Sequence, residues 1–139
     1  MANRHLNAPR TLTQALIEEY HNQQEQAEFI VLFSAIQQAC KNIASAIRTA
    51  PLDKLTGLAG TTNSMGEEVK QLDLISNNYF IDALLSCERV CAMVSEEDGE
   101  VIQVPQKYRR GPYVVAFDPL DGSSNIDVAV PVGSIFSIY

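Results

Sequence analysis

Basic side chains are scarce in this sequence, and that scarcity narrows its function first. Ten lysines and arginines stand against 17 aspartates and glutamates, a formal charge of −7 over 139 residues. A chain so balanced has no general affinity for nucleic acid or for an anionic membrane surface, and any phosphate it holds must be gripped locally, by metal and main-chain amides. Cysteine is scarce too. Cys40, Cys87 and Cys91 are odd in number and have no Cys-x-x-Cys or histidine partner at ligand spacing. That argues against a zinc site or a disulfide frame and for reduced structural thiols, with a Cys87–Cys91 redox pair as the minor alternative. No unbroken run of about 18 apolar residues occurs, and the first ten residues lack the apolar core of a secretory signal. The expectation is a cytoplasmic chain with no membrane partner. Repeats and low-complexity tracts are absent as well.

What is present is the composition of one soluble globular domain, 46% apolar and 19% charged. Residues 1–10 read as a loose polar arm. Thr11, with Gln14 three residues on, fits a capping box that opens a short amphipathic helix through Leu12, Leu16 and Ile17, fading near Gln23. His21 to Gln26 reads as a polar break. From Glu28 the apolar positions Phe29, Leu32, Phe33, Ile36, Ala39, Cys40, Ile43, Ala46 and Ile47 recur at three and four, the stripe of a long core helix expected to end before Pro51. Pro51 to Gly66 reads as a long surface loop, and Val69 to Leu85 as a second core helix. Arg89 to Ser95 and Glu100 to Val104 read as strands joined by the tight acidic turn Glu96-Glu97-Asp98-Gly99. Pro105 to Pro112 is a basic loop, Tyr113 to Phe117 an apolar strand and Val128 to Tyr139 a last strand. Helices followed by strands predict an α/β domain of the layered α+β kind. The apolar last strand needs a further layer to cover it, so an amino-terminal portion of a longer protein, incomplete by itself, is expected.

Chemistry concentrates in one stretch, Phe117-Asp-Pro-Leu-Asp-Gly-Ser-Ser-Asn-Ile-Asp127. Pro119 cannot donate to a ladder and holds Asp118 extended, so the strand is expected to stop and turn here with Asp118 and Asp121 forced together. Like charges so close favour a cation between them, and hard oxygen ligands suit Mg²⁺ or Mn²⁺. Gly122-Ser123-Ser124-Asn125 has the makings of a turn whose amides and hydroxyls face an anion. Glu96, like Asp118, follows an apolar strand; if the two strands are parallel neighbours, both carboxylates point into one crevice. Glu96, Asp118 and Asp121 with the Leu120 carbonyl would bind metal, Glu97 with Asp73 would position or deprotonate a water, and Gly122, Ser123 and Ser124 would grip phosphate. Glu67 and Glu68 are candidate extras. Phosphoryl transfer needs this set, because it is helped mainly by neutralised phosphoryl oxygens and an aligned water. Taken singly, each acidic residue also reads as an ordinary solvated turn or helix-start charge.

These residues carry a resemblance. The run Phe117 to Asp127, with Leu72-Asp73-x-x-Ser76-Asn77, Val94-Ser-Glu-Glu-Asp98 and Gly133-x-Ile-Phe-x-Ile-Tyr139 around it, closely resembles the fructose-1,6-bisphosphatases. Thr11-Leu-Thr13, Leu58-Ala-Gly60 and Gly66 fit as well, and the Asp-Pro-Leu-Asp-Gly core is the mark of the lithium-sensitive sugar and inositol phosphatases. The resemblance implies a sugar phosphatase fold of alternating helix and sheet layers and a magnesium-dependent homotetramer of gluconeogenesis. Its reaction would be hydrolysis of the 1-phosphate of fructose 1,6-bisphosphate to fructose 6-phosphate. It implies Glu96, Asp118, Leu120 and Asp121 as metal positions, Asp73 and Glu97 as water-activating ones, Asp121 to Ser124 as the phosphate loop, and Pro51 to Gln71 as a mobile active-site loop.

The resemblance further implies that residues 1–139 are the amino-terminal, allosteric-type domain. The family's remaining metal-ligand glutamate, sugar-binding tyrosines and 6-phosphate cations belong to a carboxy-terminal catalytic half absent from these residues, so the chain alone is expected to be inactive. AMP-inhibited members read like Thr-Gly-Glu-Met-Thr before the long helix and carry a Lys-Tyr pair at the later strand. Here Gln26-Ala27-Glu28-Phe29-Ile30 and Pro112-Tyr113 stand instead, keeping Glu28 and Tyr113 in a degenerate AMP site. Weak or absent AMP inhibition is expected, and no loop cysteines lie between Gly99 and Gly111 for light-linked redox control. The alternatives are a related sugar bisphosphatase, such as a sedoheptulose bisphosphatase, and a non-catalytic truncated subunit acting by oligomer pairing.

Overall fold

The structure, a computed structural model, describes residues 9–19, 24–53, 58–62, 68–128 and 130–139. Helix α1 (Leu12–Glu19) starts where the capping box sets it: Gln14 N donates to Thr11 Oγ1 at 3.2 Å and Thr11 N to Gln14 Oε1 at 2.9 Å. Two donors that a helix start leaves open are thereby satisfied. Residues 20–23 lie outside the described part, but helix α2 (Gln24–Asp53) already includes Gln24 to Gln26, where a polar break was expected. It also runs through Pro51 instead of stopping before it. The proline lies two residues from the helix end, where the lost main-chain bond and the crowding of the carbonyl four residues back disturb only the last turns of a long helix. Averaged over Ala27–Thr49, α2 has a mean hydropathy of 1.2 and is long and apolar enough to cross a membrane, although no unbroken apolar run signals it. Its stripe of Leu32, Ile36, Ala39, Ile43 and Ala46 is buried in the protein's own core instead.

The stretch read as a long loop is partly a hairpin. Strand β1 (Leu58–Thr62) pairs antiparallel with β2 (Glu68–Lys70), Leu58 facing Lys70 and Thr62 facing Glu68. Val69 is therefore in a strand, and helix α3 (Gln71–Ser86) begins two residues later than its apolar spacing suggested. Residues 54–57 and 63–67 lie outside the described part, Glu67 among them.

A four-stranded sheet follows in the order β4-β3-β5-β6. Strand β3 (Val90–Ser95) forms the expected antiparallel hairpin with β4, but β4 is only Ile102–Gln103, and residues 96–101 make a wider connection than a tight turn. Strand β5 (Tyr113–Asp121) does not stop at Asp118. It pairs antiparallel with β6 (Gly133–Ile138) as far as Asp121 opposite Gly133, with an irregularity between Asp118 and Asp121 where Pro119 sits. There Ser134 Oγ donates to the Pro119 carbonyl at 2.8 Å, and the strand accommodates the proline's missing N–H by a shift in register rather than by a turn. A 3₁₀ helix (Ser123–Val128) then precedes β6, which starts at Gly133 rather than Val128.

Phe117 and Phe136 are cross-strand partners, so they face the same side of the sheet. Phe80 of α3 stacks on Phe117 with centroids 4.8 Å apart, and Phe33 of α2 meets Phe136 edge-on at 5.6 Å. Both long helices thus cover one face, while Val94, Ile135 and Tyr139 on the other are exposed.

Candidate metal and phosphate site

Strands β3 and β5 run parallel, with Ser95 opposite Phe117. The residues that follow, Glu96 at the end of β3 and Asp118 within β5, are neighbours, and Glu96 N donates to the Phe117 carbonyl at 3.0 Å to extend the ladder by one bond. Both line an open depression of ≈ 300 Å³ whose floor is Val94, Ala116 and Ile135. The condition set by the sequence, parallel adjacency of these two strands, is met.

Two more carboxylates join them. Asp73 lies in the first turn of α3 and is only 3% exposed. Glu97 sits in the turn after β3, and its carboxyl is pushed up to about 8 by burial first and then by the charges of Asp73 and Glu96, a Glu96 hydrogen bond and the charge of Asp118. Its Oε2 is buried with no hydrogen-bond partner among the described residues. Three elements have thus brought four carboxyl groups together, and the other three oppose the ionisation of Glu97.

That arrangement fits a hard divalent cation in its chemistry, since oxygen donors of concentrated negative charge suit Mg²⁺ or Mn²⁺ and a cation would relieve the repulsion. Among the described residues no three His, Cys, Asp or Glu side chains already converge on one point at ligating distance, so the carboxylates would have to close around an ion. The other expected ligands stand further along β5. Asp121 is exposed at the strand end, beyond the irregularity. The Leu120 side chain is buried in the core, while its amide donates to Asp118 Oδ1 at 3.0 Å, folding that carboxylate back over Pro119.

Gly122 has φ 81°, the left-handed region in which a side chain is strained, and it turns the chain into the 3₁₀ helix that opens with Ser123 and Ser124. Asn125 N is used within this turn, donating to the Gly122 carbonyl at 3.0 Å. Glu68 lies in β2. Glu28 is half-buried on α2, and Tyr113 opens β5 with Phe29 edge-on to its ring at 6.2 Å. Phe29 also meets Phe33 at 5.6 Å, so an aromatic cluster stands at Tyr113. All three cysteines are free, and burial pushes the Cys87 thiol up, away from the reactivity a redox pair needs.

Sequence reasoning passed over Asn77 and Ser95. Both are buried, at 7% and 3% exposure. Ser95 Oγ donates to Asn77 Oδ1 at 2.7 Å, Asn77 Nδ2 donates to Asp98 Oδ2 at 2.9 Å, and Glu97 N donates to Ser95 Oγ at 3.2 Å. The spacing of four from Asp73 to Asn77 puts both on one face of α3, but it does not reveal the partner in Ser95.

Residues 10–139 match the family model described as "Fructose-1-6-bisphosphatase, N-terminal domain". The chain is 48% identical over 139 residues to the cytosolic fructose-1,6-bisphosphatase of a Saccharum hybrid, covering 99% of this chain and 40% of the relative. Identity to the cytosolic enzyme of Solanum tuberosum is also 48%, over 99% of this chain and 41% of that one. The fold superposes on the crystal structure of Leishmania major fructose-1,6-bisphosphatase in holo form with a TM-score of 0.85 and 42% identity, across 95% of this chain and 39% of that chain. The chain therefore spans about two-fifths of the length of the curated relatives it matches. The chain belongs to the fructose-1,6-bisphosphatase family, in the region of its N-terminal domain.

Proposed function

We propose that this chain supplies the metal and phosphate side of a Mg²⁺-dependent phosphatase that hydrolyses the 1-phosphate of fructose 1,6-bisphosphate in gluconeogenesis. It would act as part of a cytoplasmic homotetramer, with residues 1–139 as the amino-terminal, allosteric-type domain. The observation that carries the proposal is the parallel pairing of β3 with β5, because it sets Glu96 beside Asp118 at the turn where Glu97 meets Asp73 of α3. Glu96, Asp118 and Asp121, with the Leu120 carbonyl, would hold Mg²⁺ or Mn²⁺; when bound, the ion supplies charge neutralisation at the phosphoryl oxygens. Glu97, its carboxyl raised to about 8 by burial and by the charges of Asp73, Glu96 and Asp118, would stand beside Asp73 at the water. The pair then positions the attacking water and accepts its proton. The turn at Gly122 offers the hydroxyls and amides of Ser123 and Ser124 to the phosphate. The relatives' description as cytosolic supports the location.

The test is Mn²⁺ binding to the purified chain, followed by electron paramagnetic resonance. One site is expected in the wild type, lost in Asp118→Asn and Glu96→Gln, with no phosphate released from fructose 1,6-bisphosphate by the chain alone. Equal Mn²⁺ titrations for the wild type and both variants would sink the assignment of the metal site.

A further inference from the structure

Glu97 is only as well placed as the turn that carries it, and that turn has no regular secondary structure of its own. Residues 96–98 leave β3 and are held by three kinds of bond. Glu96 N continues the ladder to Phe117, Asp98 N closes the turn onto the Ser95 carbonyl at 3.3 Å, and a side-chain relay runs into α3. The relay has a fixed direction. Asn77 is one helical turn beyond Asp73 on the same face of α3, so whatever fixes Asn77 to the 96–98 turn also fixes Asp73 relative to Glu97. Asn77 uses both ends of its amide: the carbonyl accepts from Ser95 Oγ at 2.7 Å, and the amino group donates to Asp98 Oδ2 at 2.9 Å. Ser95 Oγ in turn accepts from Glu97 N at 3.2 Å. The Ser95 hydroxyl donates in one direction and accepts in the other, which an alanine cannot do and a threonine can.

We propose that Asn77 and Ser95 are positioning residues: the buried relay Asp98–Asn77–Ser95–Glu97 holds the Glu96-Glu97 turn against α3 at the spacing from Asp73 that the metal site requires. The inference rests on the proposed metal site and adds to it the part that sets its geometry. Outer partners that orient ligating groups typically contribute about 10–100-fold in metal affinity, so losses of that size are expected in Ser95→Ala and Asn77→Ala.

The experiment measures Mn²⁺ affinity of the purified chain by electron paramagnetic resonance, beside its melting temperature. Ser95→Thr keeps the hydroxyl and is expected to restore affinity. Leu84→Ala, a core truncation on the far part of α3, is expected to lower the melting temperature and leave affinity unchanged, which separates positioning from general stability. Because the two buried alanine variants risk unfolding the chain, Asp98→Ala and Asp98→Asn form a second pair at a half-buried site. The asparagine keeps the oxygen that accepts from Asn77 and is expected to bind Mn²⁺ more tightly than the alanine. Wild-type binding with unchanged affinity in Ser95→Ala, or Asp98→Asn as weak as Asp98→Ala, overturns the positioning role alone. A wild-type chain that binds no Mn²⁺ overturns the metal site and this role with it.

Discussion

At Glu97 burial and neighbouring charge act together. Its folded value of about 8 lies above the 4.5 of an ordinary glutamate. Between those two values the folded chain holds a proton that the unfolded chain has released, so this group's contribution to stability is full below about pH 4.5 and is lost as pH rises through about 8. The metal-free chain is therefore expected to melt at a higher temperature at pH 5.5 than at pH 8.5, and Glu97→Gln, which cannot ionise, should flatten the difference. Calorimetry of both proteins across that range checks it; parallel profiles would mean that Glu97 ionises normally. The candidate carboxylates could be picked from the sequence because each follows an apolar run or sits in a helix start. Asn77 and Ser95 could not, because a hydrogen bond between residues 18 apart depends on two elements docking, and no local pattern encodes it.

At the scale of elements, the sequence pattern held where periodicity was strong and gave way where packing overrode a local rule. Two prolines show this. Pro51 was expected to stop α2 and Pro119 to stop β5, yet both elements run through them, the first near a helix end and the second at a register shift. Gly111 shows the reverse, a local feature whose need is tertiary. Its amide donates to the Val90 carbonyl at 3.0 Å, and a Cβ there would lie 2.1 Å from the Arg89 carbonyl carbon. Gly111→Ala is expected to force β3 and the start of β5 apart and cost about 1–3 kcal/mol or more, read by urea denaturation; a midpoint equal to wild type would show that the backbone yields freely. The amino-terminal part of α2 carries a third expectation. With Phe29 against Tyr113 and no Thr-Gly turn to grip a phosphate, AMP should not saturate the chain at micromolar concentration in isothermal titration calorimetry, and a saturating isotherm would count against a degenerate site.

At the scale of the whole molecule, two helices cover one face of the sheet and leave apolar side chains on the other. Val94, Ile135 and Tyr139 on that face, and Ile17 and Val31 on the helices, are exposed apolar side chains that a further layer or a second copy would cover. Sedimentation of the chain at micromolar concentration is expected to give a multiple of 15.3 kDa, and a monomer would remove the support for a homo-oligomer. By itself the sequence determined the carboxylates, the strands that lead to them, the buried stripe of α2 and the turn at Gly122, because each follows from residue type and short-range period. Only the tertiary structure decided that β3 and β5 are parallel neighbours, that β1 finds β2 inside an apparent loop, and that α3 brings Asp73 and Asn77 to the turn after β3. Those outcomes depend on pairings between distant segments, whose energy comes from shared burial and which no window of neighbouring residues contains. The site opened by Phe117 to Asp127 is thus written locally in its chemistry and assembled non-locally in its geometry.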